Sequence, residues 1–314
     1  MMSVLETFPL DDHLRQLIRL AIAEDLAEAG DVTSRLTVPE GRVGVGTLVQ
    51  KAPGVACGLP LVEVVCKSFD ERLRVEWIPG FHLELMEGRY SDARLQPLVR
   101  IRGPLRSLLA AERTLLNFLG RLGGIASLTR RFVRRVQDTP AGIYDTRKTL
   151  PGYRALEKYA VRCGGGMNHR AGLHDMVLVK DNHLAGTPPE RLAEVLGDLV
   201  ARSRAEAPDR PIEVEVDTFE QFRAVLPVEG IDVILLDNMD CPTMLRCVAL
   251  RAEHPPFARH GAPRLEASGG VTLETVRDIA RTGVERIAVG AITHSAPTLD
   301  ISLDIEADPA PRSH

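Results

Sequence analysis

From Ile143 onward short apolar runs alternate with helical stretches, and this alternation restricts the fold more than any other feature. The runs are IYDT, MVLVK, IEVEV, VILLD, RLEAS and RIAVG, starting at Ile143, Met176, Ile212, Val233, Arg264 and Arg286. Between them lie segments of helical character such as GYRALEKYAVR, PERLAEVLGDLVARSRAEA and PTMLRCVALRAEH. Strands and helices in this order make a parallel sheet with right-handed crossovers. Six units fall short of the eight of a full (β/α)8 barrel. Two α/β architectures fit: an incomplete parallel barrel of about six strands, or an open doubly wound sheet.

The first part of the chain follows another pattern. Leu14, Leu17, Ile18, Ala21 and Ile22 recur at helical spacing, and Gly30-Asp31 then turns the chain. The β-forming stretches VGVGTLVQK, GVACGL, LRVEWI and PLVRI follow, interrupted by a predicted helix, PLVEVVCKSF. Together they predict a small α+β domain. Residues 84–97 are polar and predict a surface loop. Ser107 is the expected N-cap of SLLAAERTLLNFLGRLGG, with Gly123-Gly124 ending that helix. A second helix, ASLTRRFVRRVQ, should place Arg130, Arg131, Arg134 and Arg135 on a solvated face. The terminal ADPAPRSH should be disordered. At 314 residues the chain is long enough for two such domains.

Composition removes several functions. A net charge of −4 with one Trp and four Tyr does not suit a nucleic-acid surface. Five cysteines without a CxxC point to reduced thiols in the cytoplasm and away from structural zinc. No apolar run approaches the roughly 20 residues needed to span a bilayer, and the N-terminus has no apolar signal core. Against this mildly acidic background, residues 143–183 concentrate Arg147, Lys148, Arg154, Lys158, Arg162, His169, Arg170 and His174. Such local charge predicts a strongly anionic ligand. Arg154, Lys158 and Arg162 are spaced four apart, which favours a solvated helix face for them.

Polar residues gather at the carboxyl ends of the six runs, the face on which parallel barrels build active sites. Arg147-Lys148 follows the first run and Lys180-Asp181-Asn182 the second. The third carries Glu213 and Glu215 and ends at Asp217, and the fourth ends in Asp237-Asn238. Ser268-Gly269-Gly270 and Gly290 close the last two, and their backbone amides, with the helix after Gly270, suit a phosphate. Glu215 and Asp237 suit Mg²⁺ or a ribose diol, with Glu213 as an equal candidate for a structural ion pair. Lys180 should be partly buried and paired with one of these carboxylates. Cys163 lies near the cations without a partner base.

The segment DTRKTLPGYRALEKYAVRCGGGMNHRAGLHDMVLVKDNH closely resembles quinolinate phosphoribosyltransferases. So do AERTLLNFL before it and EVEV, LLDN, EASGG and VGAITHSAPTLDISL after it. The resemblance runs from GDVTS to LDISL. It implies an N-terminal α/β sandwich domain (1–116, with a C-terminal return at 296–314) and an incomplete barrel domain (117–295). It also implies a homodimer, open to further association, with active sites shared between subunits. The implied reaction joins quinolinate to phosphoribosyl pyrophosphate with Mg²⁺, giving nicotinate mononucleotide, pyrophosphate and CO₂. By the family pattern Arg147, His169, Arg170 and Lys180 contact quinolinate, and Arg113 reaches in from the partner subunit. Lys148 and Lys180 face the phosphoribosyl donor. Glu215 and Asp237 hold ribose and Mg²⁺, while Ser268, Gly269, Gly270 and Gly290 cradle the 5′-phosphate.

Three rivals stand beside this expectation. A paralogous group associated with molybdate transport shares the fold, but the intact DTRK and NHR segments favour the quinolinate enzyme. A Schiff-base aldolase would need one desolvated lysine and not a ring of cations. A phosphosugar sensor would bind without turnover.

Overall fold

The computed structural model describes residues 5–78, 83–254 and 261–307. The expected disorder at 307–314 therefore falls almost wholly outside the described residues. The chain divides into two compact units. Residues 1–130, 150–165 and 296–314 form the first, and 131–149 with 166–295 the second.

The first unit holds a four-stranded antiparallel sheet. Its strands are β1 (Val43–Gln50), β3 (Arg74–Trp77), β5 (Gln96–Pro104) and β12 (Ile301–Ala307), in the order β12-β1-β5-β3. A small pair, β2 (Gly54–Val55) and β4 (Tyr90–Ser91), stands apart. Leu48 pairs with Leu303 on one side and Val99 on the other, and Leu48 and Val99 are wholly buried. Helices α1 (Asp12–Leu26), α2 (Val32–Thr37), α3 (Pro60–Phe69) and α4 (Leu83–Met86) belong to this unit. The 84–97 segment is more than a surface loop. Its Glu87 carboxylate accepts the N–H groups of Gly58 and Leu59 at 2.7 and 2.9 Å, and the Tyr159 hydroxyl at 2.8 Å.

Helix α5 (Leu105–Val136) runs without a break where two helices were expected. The sequence-based boundary at residues 116–117 thus falls inside it. Gly123 and Gly124 do not stop this helix; they thin it. A Cβ at Gly124 would lie 2.0 Å from the Pro297 carbonyl oxygen, and one at Gly123 would lie 2.7 Å from Leu299 Cδ2. The bare surface lets the segment before β12 lie against the helix, where the Leu299 N–H bonds to the Gly120 carbonyl at 2.9 Å. Ser107 sits inside the first turn and is not its cap; its hydroxyl donates to Asp70 at 2.6 Å.

Helix α6 (Arg154–Cys163) also departs from expectation. Lys158 is buried, and Arg162 donates to the Thr7 carbonyl at 3.0 Å, so this face is not simply solvated. The helix is embedded on most sides, with Leu156, Tyr159, Ala160 and Val161 all buried, and Glu157 is met by Arg121 at 2.6 Å. Cys163 belongs to this unit, its thiol 3.7 Å from Glu87.

The second unit contains a six-stranded parallel sheet. Strands β6 (Gly142–Tyr144), β7 (Val177–Val179), β8 (Ile212–Val216), β9 (Val233–Asp237), β10 (Arg264–Ser268) and β11 (Arg286–Ala288) appear in the order β6-β11-β10-β9-β8-β7. A doubly wound sheet reverses its strand order at a switch point. Here the order is monotonic and the first strand adjoins the last, so the sheet is an incomplete barrel, open between β6 and β7. Helices α7 (Pro189–Glu206), α8 (Phe219–Val225), α9 (Cys241–Glu253), α10 (Val276–Arg281) and α11 (Ala291–His294) connect or follow the strands. Val214, Ile234, Leu236, Leu265, Ala267 and Ile287 are buried. Residues two apart on a strand share a face, so alternate positions such as Glu215, Leu235, Glu266 and Ala288 form the other.

Candidate active site

The open seam of the barrel builds the cationic wall. Met167 lies beside β6 where a closing strand would, its N–H bonded to the Ile143 carbonyl at 2.8 Å and its carbonyl accepting the Asp145 N–H at 3.1 Å. Buried Asp145 then fixes the following residues. Its carboxylate accepts the His169 N–H at 2.8 Å and the Asn168 amide at 2.6 Å. This carboxylate escaped sequence reasoning because the adjacent cations drew the functional reading, although an Asp ending an apolar run was the available signal.

One cavity of about 380 Å³ collects most of the expected residues. Arg147, Lys148, His169, Arg170 and Lys180 line it from the cationic side. Glu215, Asp237 and Ser268 line it from the ends of β8, β9 and β10. Leu178, Leu235 and Ala288 supply an apolar floor suited to a planar ring. Burial and the nearby Arg147 charge both lower the proton affinity of the Arg170 guanidinium, a crowding of cations that an anion would relieve.

Lys180 forms an ion pair with Glu215, and its N–H is taken by His183 Nδ1 at 2.9 Å, which closes the KDNH turn. Asp217, beyond β8, has its proton affinity raised by burial and by the charges of Asp237 and Asp181, with Lys180 opposing. Carboxylates crowded in this way are a donor set that a divalent cation would stabilise. Asn238, unremarked as a site residue, adopts a left-handed φ of 54° and donates to Asp237 at 2.7 Å. Its backbone N–H bonds to the Ser268 carbonyl at 2.9 Å.

Gly269 and Gly270 have φ of 95° and 58°, and a Cβ at Gly269 would lie 2.1 Å from Asn238 Oδ1. The expected support from a helix N-terminus is absent here. Helix α10 begins only at Val276, and Thr272 Oγ1 takes the N–H groups of Glu274 and Thr275. Gly290 leaves room for Lys148, whose Cδ would lie 3.1 Å from a Cβ there. Arg113 is exposed on α5 of the first unit and does not line the cavity.

Beside the cations lie two wholly buried carboxylates, Glu266 at the cavity lining and Glu213 outside it. His169 Nε2 is 2.9 Å from Glu213 and 3.3 Å from Glu266. Burial lowers the imidazole's proton affinity, but these carboxylates outweigh it and favour a proton on Nε2. The ring's other nitrogen opposes full protonation. Nδ1 accepts the Arg170 N–H at 2.8 Å, so a second proton could enter only by breaking that bond. Glu213, deeper than Glu215 and outside the cavity lining, has its own proton affinity raised by burial and by Glu266. Glu266 is shifted the other way: burial raises its proton affinity, but His169 and Arg286 lower it further. Both Glu266 and Arg286 were missed because neither lies at the carboxyl end of its strand: Glu266 is inside β10 and Arg286 opens β11.

An open parallel barrel with cations on one wall, carboxylates on another and left-handed glycines beyond them defines a protein that handles anionic, phosphorylated small molecules. Likeness to known proteins narrows that class. Residues 31–123 match the N-terminal domain of quinolinate phosphoribosyl transferase, and residues 125–304 match its C-terminal domain. The chain belongs to the quinolinate phosphoribosyltransferase family. It is 45% identical to a nicotinate-nucleotide pyrophosphorylase [carboxylating] of Mycobacterium leprae, over 94% of this chain and 98% of that one. The nicotinate-nucleotide pyrophosphorylase structure from Francisella tularensis superposes with a TM-score of 0.83 at 30% identity, covering 96% and 99% of the two chains. That from Ehrlichia chaffeensis gives 0.79 at 35% identity, covering 93% and 98%. Among the described residues no helix is long and apolar enough to cross a membrane.

Proposed function

We propose that this chain joins quinolinate to phosphoribosyl pyrophosphate, releasing pyrophosphate and CO₂ and leaving nicotinate mononucleotide. The observation that carries this reading is the convergence of Arg147, Lys148, Arg170 and Lys180 on one cavity faced by Glu215 and Asp237. A dicarboxylate and a polyphosphorylated sugar together need such a cation density, and the carboxylates suit the ribose hydroxyls. Arg147, Arg170 and Lys180 hold the quinolinate carboxylates. His169 lines the pocket with its ring carbons, because both ring nitrogens already face protein groups. Lys148 and Lys180 face the donor's phosphates, and Ser268, Gly269, Gly270 and Gly290 receive the 5′-phosphate.

The ring nitrogen bonds to the anomeric carbon as the bond from that carbon to pyrophosphate oxygen breaks. Positive charge develops on the ribose, and Glu215 and Asp237 stabilise it across the cavity. The product ring is a pyridinium. When the adjacent carboxylate leaves as CO₂, its bonding electron pair remains on the ring carbon beside the positive nitrogen, and a proton from solvent completes that carbon. Positioning and charge therefore supply most of the rate. Glu215 and Asp237 would hold Mg²⁺, which would supply positive charge toward the pyrophosphate oxygens; the crowding of Asp181, Asp217 and Asp237 supports a cation there.

The active unit is a homodimer in which Arg113 of one subunit serves the cavity of the other. Its exposure on α5 supports that role. Five free thiols suit the cytoplasm. The deciding experiment incubates purified protein with Mg²⁺, quinolinate and phosphoribosyl pyrophosphate. Nicotinate mononucleotide and CO₂ should appear in equal amounts; their absence would reject this function.

A further inference from the structure

Three charged residues have no part in the chemistry above: Glu213 and Glu266 are wholly buried, with Glu266 at the cavity lining, and Arg286 is half-buried. Arg286 is paired in register with Glu266 across β11 and β10. Its Nε donates to Glu266 Oε2 at 2.5 Å, and its guanidinium lies 4.0 Å over the Tyr144 ring. This clamp pins one carboxylate oxygen and leaves Oε1 facing His169 Nε2 at 3.3 Å. Glu213 approaches the same nitrogen at 2.9 Å. That nitrogen thus faces two buried carboxylates, and both Glu213 oxygens and Glu266 Oε1 lack an aligned hydrogen-bond donor among the described residues.

His169, Glu213 and Glu266 could be read as three metal ligands, since their donor atoms lie within 4.8 Å of one another. The far side of the ring argues otherwise. Nδ1 accepts the Arg170 N–H, so Nδ1 carries the lone pair and Nε2 carries the hydrogen. A nitrogen bearing hydrogen donates and does not ligate. The two carboxylates therefore select a tautomer, as outer-shell carboxylates do for histidines elsewhere. Asp145 pins the peptide on the other side of the same residue, at the His169 N–H.

We propose that Glu213, Glu266 and Arg286 are positioning residues that act through His169 on Arg170. By setting negative charge beside Nε2–H, they keep Nδ1 unprotonated to receive the Arg170 N–H, and so fix the start of the Arg170 side chain at the cavity. The proposal rests on reading the cationic wall as the dicarboxylate half of the site.

The test compares Glu213→Met, which removes the acceptor at similar length, with Glu213→Gln, which keeps one. In Glu213→Met the KM for quinolinate should rise roughly tenfold, with the KM for phosphoribosyl pyrophosphate within about twofold of the parent. Glu213→Gln should recover most of the loss. An unchanged quinolinate KM in the Met variant, or equal rises for both substrates, overturns the proposal. So does a Gln variant as impaired as Met. Loss of folding in the Met variant would leave Glu213→Gln and a second arm to decide. In that arm, ¹⁵N-histidine spectra of the unliganded parent, assigned with His169→Gln, should show His169 as the neutral Nε2–H tautomer at pH 7. A doubly protonated ring or an Nδ1–H tautomer refutes the proposal even if the parent turns over. A parent that fails to turn over, yet shows the Nε2–H tautomer, rejects the catalytic reading and leaves the positioning geometry standing.

Discussion

Gly124→Ala is a sharp test of how the first unit is assembled. Taken as a helix residue alone, the change should stabilise α5 by about 1 kcal/mol, because alanine is the better helix former. The added methyl, however, would stand 2.0 Å from the Pro297 carbonyl oxygen and 3.3 Å from the Leu299 nitrogen. Ordinary contact begins near 3.4 Å, so the segment must retreat by about 1.4 Å. Its obstacle is a backbone carbonyl, which cannot rotate aside as a side chain can. Overpacking of this kind costs about 1–3 kcal/mol, and this case belongs at the upper end. Loss of the Leu299–Gly120 hydrogen bond adds about 1 kcal/mol. The net is a destabilisation of about 2–3 kcal/mol. The single tryptophan, Trp77, lies on β3 of the same unit and gives a local fluorescence reading of urea unfolding. With a slope of about 2–3 kcal/mol/M, the midpoint should fall by about 1 M. Gly197→Ala in α7 is the control, since nothing lies within 4 Å of a Cβ there. It should stabilise by about 0.5–1 kcal/mol, read by circular dichroism. A Gly124→Ala protein as stable as the parent would refute the reasoning.

Other outcomes come from the same geometry. Glu87→Gln turns an amide toward donors now accepted by carboxylate oxygens, and should cost the first unit about 1–3 kcal/mol by Trp77 fluorescence. Arg72 and Ser107 hold the Asp70 carboxyl below the usual carboxylate range, chiefly through the Arg72 hydrogen bond. Its stabilisation is therefore complete above the unfolded value near pH 3.9 and is lost as pH falls toward the lower folded value. Asp70→Asn should flatten that part of the urea-midpoint profile; an unaltered acid limb would count against it. Arg113→Ala and Arg170→Ala, each inactive, should regain activity when mixed under proven subunit exchange, and no recovery would exclude a cross-subunit Arg113. Asp237→Asn should raise the Mg²⁺ concentration required for half-maximal rate severalfold while leaving quinolinate binding, measured by calorimetry, nearly unchanged.

Much of this molecule was legible in the linear chain because its signals are local. Alternating strands and helices set the parallel sheet, and the strand-end rule places Arg147, Lys180, Glu215 and Asp237 on one rim from the sequence alone. These properties depend on periodicities of a few residues, which survive without tertiary context. What only the tertiary structure decided depends on partners far apart in sequence. Gly123 and Gly124 read as a helix stop until Pro297 and Leu299 were found against them. Lys158 read as solvated until its helix was found embedded. Whether the sheet was an open layer or an interrupted barrel turned on β6 pairing with β11, a contact between the two ends of the array. The roles of Asp145, Glu266 and Arg286 were hidden for the same reason: a buried charge is recognisable only by what compensates it, and here each compensating group comes from a different strand or loop.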